Sequence, residues 1–348
     1  MRIVVDVMGG DHGCGVVVEG ARMALDGSSA IQQLYLVGNE SEIRSAIAAK
    51  GLSDPRVTVV HASQVLTMED KPVEGLRRKK DCSILRSVDL VKDGQAEAVI
   101  STGNTGGLVA AATIRLRTLP GVDRPAIATV IPSEKSAFVL IDAGANPDCK
   151  PLHLLQFAIM GSIYAREILG RTNPRVGILS NGTEDMKGTE LTRDAAKLCA
   201  QADLNFLGYV EGHDLFADAV EVVVTDGFVG NIVLKTCESM GKALVRTLKS
   251  ELTANPLRKF GALLSAGAFK SIKKRMDPEA YGGAPLLGLN GNVIKAHGSA
   301  RERAIMNAIR VSAQTVTHQI NQLIVTEIAK ANARIEISTQ PAAIGAKT

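Results

Sequence analysis

Short runs of β-branched and aliphatic residues alternate with longer stretches of helical spacing along this 348-residue chain. That alternation limits the fold more than any other feature. Strand candidates are Ile3–Val7, Leu34–Val37, Val57–His61, Ala98–Ser101, Ala126–Ile131, Ala137–Asp142, Val176–Ser180, Asn205–Val210 and Val220–Thr225. Helical spacing fills Glu40–Lys50, Ser83–Asp93, Pro151–Leu169 and Thr189–Gln201, with long helical stretches at Asp226–Leu252 and Ser299–Lys330. Strands separated by helices build βαβ units, which predicts an α/β fold with a mainly parallel sheet covered on both faces. Only Pro132 to Ser136 separate two of the runs, too short for a crossover helix, so an antiparallel hairpin is expected there. One domain over residues 1–333 accounts for the pattern, and residues 334–348 read as a flexible tail.

Charge and composition remove several functions. The net charge is +4, yet Arg258, Lys259, Lys270, Lys273, Lys274 and Arg275 sit together without an acidic residue; the rest of the chain is at −2. A global argument for nucleic-acid binding is therefore missing, and with 3% aromatic residues and no tryptophan there is little to stack on bases. No apolar run is long enough to span a bilayer, and the opening Met1–Asp6 reads as a strand. The five cysteines fall outside metal or redox spacing, which suits a reducing cytoplasm. No metal and no cofactor is expected: the six histidines are dispersed, and H-E-x-x-H, the phosphate loop of nucleotide-binding enzymes, G-x-G-x-x-G after the first strand and G-x-S-x-G are all missing.

In open α/β sheets, ligands bind where strands end and helices begin. Five such ends, expected at one edge of the sheet, carry Gly, Asn, Thr and Asp together. They are Asp6–Gly13, Ser101–Gly107, Asp142–Asn146, Ser180–Gly188 and Thr225–Asn231; Ala296-His297-Gly298-Ser299 follows near the C-terminus. One such turn is ordinary capping chemistry. Five favour a polar site for an anion.

The motifs Asp6-x-Met8-Gly9-Gly10-Asp11, Gly103-Asn104-Thr105-Gly106, Asp142-Ala143-Gly144-Ala145-Asn146, Gly182-Thr183-Glu184-Asp185-Met186-Lys187-Gly188, Thr225-Asp226-Gly227-Phe228-Val229-Gly230-Asn231, Tyr281-Gly282-Gly283-Ala284 and Lys295-Ala296-His297-Gly298 run in order. Together they resemble the PlsX family of phosphate acyltransferases in bacterial phospholipid synthesis, from about Met1 to Ala329. Ser180-Asn181 and Thr102 depart from the family's usual pattern. The resemblance implies a Rossmann-like α/β/α sandwich of the phosphotransacetylase and isocitrate-dehydrogenase type, working as a homodimer. It further implies reversible transfer of a long-chain acyl group from acyl carrier protein to inorganic phosphate, giving acyl phosphate for glycerolipid synthesis.

That reaction asks little of side chains, because phosphate near pH 7 is already a competent nucleophile and no covalent intermediate is required. It needs a cradle for phosphate and a stabiliser for the developing oxyanion. Lys187 and Asn231 are the candidate catalytic residues. Candidate phosphate and substrate contacts are Gly9, Gly10, Ser101, Thr102, Gly103, Asn104, Thr105, Asn146, Asn181, Gly182, Thr183, Gly227, Gly230 and His297. Asp6, Asp11, Asp142 and Asp226 read as residues that fix the loops, since carboxylates repel phosphate.

Arg77, Arg78, Lys79 and Lys80 form a basic run that is either a solvated helix face or a docking patch for acidic acyl carrier protein. Within 253–277, Leu257, Phe260 and Leu264, then Phe269, Ile272 and Met276, recur at helical spacing, flanked by Lys270, Lys273 and Lys274. Two short amphipathic helices with cationic flanks suit an anionic membrane surface or a dimer partner. The resemblance favours the former: a cytoplasmic enzyme held peripherally at the inner face of the cell membrane, near the acyltransferase that uses its product. A CoA-dependent phosphotransacetylase and a non-enzymatic membrane adaptor are the alternatives.

Overall fold

A computed structural model describes residues 1–184 and 186–339. Eleven strands form one sheet in the order β3-β2-β1-β4-β11-β10-β5-β6-β9-β7-β8. The first half is built by β1 (Arg2–Asp6), α1 (Cys14–Asp26), β2 (Gln33–Gly38), α2 (Glu40–Lys50), β3 (Val57–His61), α3 (Pro72–Arg78), α4 (Ser83–Lys92), β4 (Ala98–Ser101) and α5 (Thr105–Leu116). The chain then passes through β5 (Ala126–Pro132) and β6 (Ala137–Ile141), paired antiparallel as their short connection requires. The second half adds α6 (Pro151–Leu169), β7 (Arg175–Leu179), α7 (Glu190–Gln201), β8 (Asn205–Val210), β9 (Val222–Val224) and the 26-residue α8 (Gly227–Leu252). After α9 (Pro256–Leu264) and α10 (Ala266–Arg275), β10 (Ala284–Leu287) and β11 (Asn292–Lys295) return to the middle of the sheet. The chain closes with α11 (Glu302–Thr317) and α12 (Ile320–Thr339).

Alternation along each strand sorts the core. In β1, Val4 faces α4 and α5, while Ile3 and Val5 face the layer made by α1, α2 and α11. In β6, Phe138 and Leu140 join the first of these faces, whereas Val139 and Ile141 pack with α6, α7 and α12. Full burial of side chains such as Phe138 and Phe157 is worth about 1.5–3 kcal/mol each.

The pairing of β5 with β6 has a consequence for the site. β1, β2, β3, β4, β11 and β5 run one way, with β10 antiparallel between β11 and β5; β6, β9, β7 and β8 run the other way. The strand-end loops therefore form two groups on oppositely directed halves of the sheet, and the expectation of one shared edge is corrected. The cause is the hairpin itself, which reverses strand direction and passes the reversal to every strand added beyond it. Twist of about 20–25° per strand then rotates one half against the other.

Three further differences are local. The stretch Ser299–Lys330 is two helices, broken at His318 and Gln319, where Gln319 has φ 53°. The segment expected to be a tail from residue 334 remains helical to Thr339; residues beyond lie outside the described part. Ser265 alone separates α9 from α10, and neither helix has a buried residue. α8 packs Val233 and Leu234 on the body, while Met240, Leu244 and Leu248 at i, i+4 and i+8 leave an apolar ridge exposed. No helix among the described residues is long and apolar enough to cross a membrane.

Candidate active site

The first loop group joins the ends of β1, β4 and β11. Asp6, fully buried, accepts the Ser101 hydroxyl at 2.6 Å and the Met8 amide at 3.1 Å. Ser101 Oγ in turn accepts from Gly103 N at 3.0 Å. Gly9, with φ 81°, runs so close to the neighbouring turn that a Cβ would stand 2.9 Å from Gly103 Cα. Asn104 caps α5 by accepting from Gly107 N at 2.8 Å, and its amide donates to Thr67 O at 2.9 Å. Ser101 and Asn104, proposed as phosphate contacts, thus spend their side chains on the loop; backbone amides and exposed Thr105 remain for a ligand. Thr102 Oγ1 is buried beneath Gly10 without a hydrogen-bond partner among the described residues.

Lys295 is the residue that sequence reasoning missed. It ends β11 beside Ser101 in register, and its Nζ donates to Thr102 O at 3.2 Å and to Ala296 O. Burial lowers its pKa to about 8, against the favourable charges of Asp6 and Asp11; Lys235 lowers it further. Burial also raises the Asp6 pKa to about 6, opposed by Ser101, Ser83, the Met8 amide and Lys295. The available signal was a lysine closing a short apolar run two residues before His297. His297 Nδ1 accepts from Ser299 N at 3.1 Å, so Nε2 is the nitrogen left for a substrate. Its pKa is lowered by desolvation, with Lys235, Lys295 and Lys242 adding to the fall against Glu238. α8, which starts in the second loop group, thereby brings Lys235, Glu238 and Lys242 within electrostatic range of the first.

The second group surrounds Asp142. Its carboxylate accepts from Ile127 N at 2.9 Å, Gly144 N at 3.1 Å, Ala145 N at 3.0 Å and Asn146 N at 2.7 Å. Burial raises its pKa despite these donors. Asn146 donates from Nδ2 to Pro125 O and to Asp142, so its side chain supports the loop. Gly227 and Gly230 press on the same loop: a Cβ would lie 2.7 Å from Asn146 N and 1.9 Å from Asp142 O respectively. Asp226 caps α8, accepting from Phe228 N and Val229 N, both at 2.9 Å. With that end of the helix capped by Asp226, Asn231 is exposed, its side chain against Gly144.

Neighbouring β7 carries the remaining loop. Asn181 Oδ1 accepts from Gly188 N at 2.9 Å and closes it, so Asn181 is structural. Lys187 is exposed, and its stem folds across Gly182, whose missing Cβ would meet Lys187 Cγ at 2.7 Å. Thr183 is exposed on the same loop. The candidate site therefore consists of two polar loop clusters, one with Thr105, Lys295 and His297, the other with Lys187 and Asn231. No group of residues suited to a metal ion occurs among the described residues.

The basic run behaves differently from its sequence pattern. Lys79 pairs with Asp70 at 2.6 Å and donates to Val65 O, so it holds a loop rather than facing solvent. Arg77, Arg78 and Lys80 are exposed.

A family profile described as fatty acid synthesis protein matches residues 1–323. The chain belongs to this family. Phosphate acyltransferase from Akkermansia muciniphila is 47% identical over 336 residues, covering 95% of this chain and 96% of its relative. Phosphate acyltransferase from Desulfitobacterium hafniense strain DCB-2 is 48% identical over 317 residues, covering 91% and 94%. This family member is an acyltransferase of fatty acid and lipid synthesis. Its fold is similar to a phosphotransacetylase from Streptococcus pyogenes, with TM-score 0.62 at 19% identity over 91% of this chain and 94% of the other. A branched-chain phosphotransacylase from Enterococcus faecalis gives 0.55 at 15% identity, over 91% and 100%. The expected Rossmann-like sandwich is borne out.

Proposed function

We propose that the protein transfers a long-chain acyl group from the thioester of acyl carrier protein to inorganic phosphate. A phosphate oxygen attacks the carbonyl, the C–S bond breaks, and the carrier thiolate leaves and takes up a proton, giving acyl phosphate. Backbone amides of the glycine turns hold the phosphate, while Lys187 and Asn231 stabilise the oxyanion. The observation that carries this reading is Asn231: freed from capping by Asp226, it stands exposed beside Gly144 on the strand end next to the Lys187 loop. Trapping the product as hydroxamate tests it. Phosphate-dependent product from acyl carrier protein substrates supports the assignment; product from acyl-CoA alone replaces it with a CoA-dependent phosphotransacetylase, and no product from either removes it.

Arg77, Arg78 and Lys80 offer the acidic carrier a complementary surface. The uncovered ridge of α8 suits a second copy of the chain, supporting a homodimer. Leu257, Phe260 and Leu264 are exposed on α9, and Lys270, Lys273 and Lys274 on α10, which supports peripheral contact with an anionic membrane and delivery of product to an acyltransferase there. Phe269 is half-buried and contributes less.

A further inference from the structure

The β5–β6 turn, the segment after α6 and the end of α10 enclose an open cleft of about 270 Å³. Lys135, Arg171, Lys274 and Arg275 line it with Ser136 and Tyr281, and no carboxylate among the described residues does. None of these residues belongs to the loops of the candidate active site. Arg171 is the built part. Its Nη2 donates to Ser136 Oγ, while its Nε is buried with no hydrogen-bond partner among the described residues. Arg275 donates to Glu134 O at 3.3 Å, which ties the end of α10 to the turn.

Two acids stand nearby without lining the cleft: Asp218 acts on Lys135 and Arg171 at a distance, and Glu221 on Arg171. Asp218 accepts from Lys135 N at 2.9 Å and from Ser133 Oγ, and Glu221 pairs with Arg175. Four cations drawn from three separate parts of the chain still outnumber these two acids, one of which also serves Arg175, and a bound anion would relieve the repulsion that remains. Arg171 brings to this lining a planar guanidinium, whose N–H pairs match two oxygens of one ligand. The volume exceeds that of several waters, at about 30 Å³ each, so a phosphate and the first atoms of what carries it fit together. We propose that this cleft binds a phosphate dianion, either free or as the terminal group of a monoester. Free phosphate and a lipid headgroup share that chemistry.

Calorimetric titration of the full chain with inorganic phosphate, and separately with dihexanoyl phosphatidic acid below its micelle concentration, tests the proposal. The comparison is between wild type and the double variant Arg171→Gln, Lys135→Gln, with hydrogen exchange of residues 133–137 locating the response. A phosphate site that weakens about tenfold in the variant, while KM for phosphate in acyl transfer is unchanged, supports the proposal with free phosphate as ligand. The same weakening seen only with phosphatidic acid supports it with a headgroup as ligand. Equal binding of both probes to wild type and variant overturns it, as does unaltered exchange at residues 133–137. Should the double variant fail to fold, Arg171→Lys decides: it keeps the charge and loses the fork, and unchanged affinity for both probes overturns the proposal.

Discussion

Gly230 lies so close under the carbonyl of Asp142 that a Cβ built on it would stand 1.9 Å from the oxygen. This contact seats α8 on the loop after β6. Gly230→Ala has no room and is expected to destabilise the protein by about 2–3 kcal/mol. Gly241→Ala, in the same helix with nothing within 4 Å, is expected to be neutral or stabilising by up to about 1 kcal/mol. Denaturant midpoints compare the two, and equal effects would contradict the packing.

Asp6 makes stability depend on pH. Its folded pKa of about 6 lies above the unfolded value, so its contribution is fully present below pH 4 and is lost as pH rises through 6. The loss amounts to about 3 kcal/mol. Asp6→Asn should therefore look worse relative to wild type at pH 4.5 than at pH 7.5 in chemical denaturation. The opposite order would refute the assignment.

Lys295 couples the same region to phosphate. With a pKa of about 8, its ammonium is lost above that pH, and KM for phosphate should rise there. Lys295→Arg should move that rise beyond the working range; Lys295→Met should raise KM about tenfold at pH 7 and flatten the profile. Stability moves the other way, since the unfolded lysine keeps its proton up to about pH 10.4 and this group's contribution grows between pH 8 and that value. A KM independent of pH in the wild type rules the coupling out.

Lys187→Ala and Asn231→Ala are each expected to lower turnover about 10²–10³-fold with melting temperature nearly unchanged, because both side chains are exposed. Single-turnover rates with saturating phosphate provide the check. Near-normal rates in folded protein would remove either residue from the mechanism.

Phe260→Glu and Leu264→Glu should abolish flotation with anionic vesicles while leaving turnover on soluble substrate intact. Flotation that survives both changes would place membrane contact elsewhere.

Local signals carried much of the fold into the sequence. β-Branched runs marked nine strands, the short gap from Pro132 to Ser136 marked the hairpin, and Asp226 before an apolar stretch opened α8. β10 and β11 stayed hidden because each is four residues long and is held by partners far away: Leu287 pairs with Ala126 and Lys295 with Ser101. The split of the site stayed hidden for the same reason, since strand direction is fixed by long-range pairing across the sheet. At the site, residue type located the loops but not the duties within them. Ser101, Asn104, Asn146 and Asn181 look like ligand residues and are spent on backbone groups, as burial in tight turns demands. Lys295 looks like a strand-end surface lysine and is instead largely shielded from solvent.

α8 extends about 39 Å with Met240, Leu244 and Leu248 facing outward. Each such side chain holds back about 1.5–3 kcal/mol until something covers it. On the homodimer proposed above, solubility and assembly would be readings of one surface. Mild detergent should raise the first by competing for the second, and a charged substitution at Leu244 should yield a protein that concentrates freely and elutes smaller.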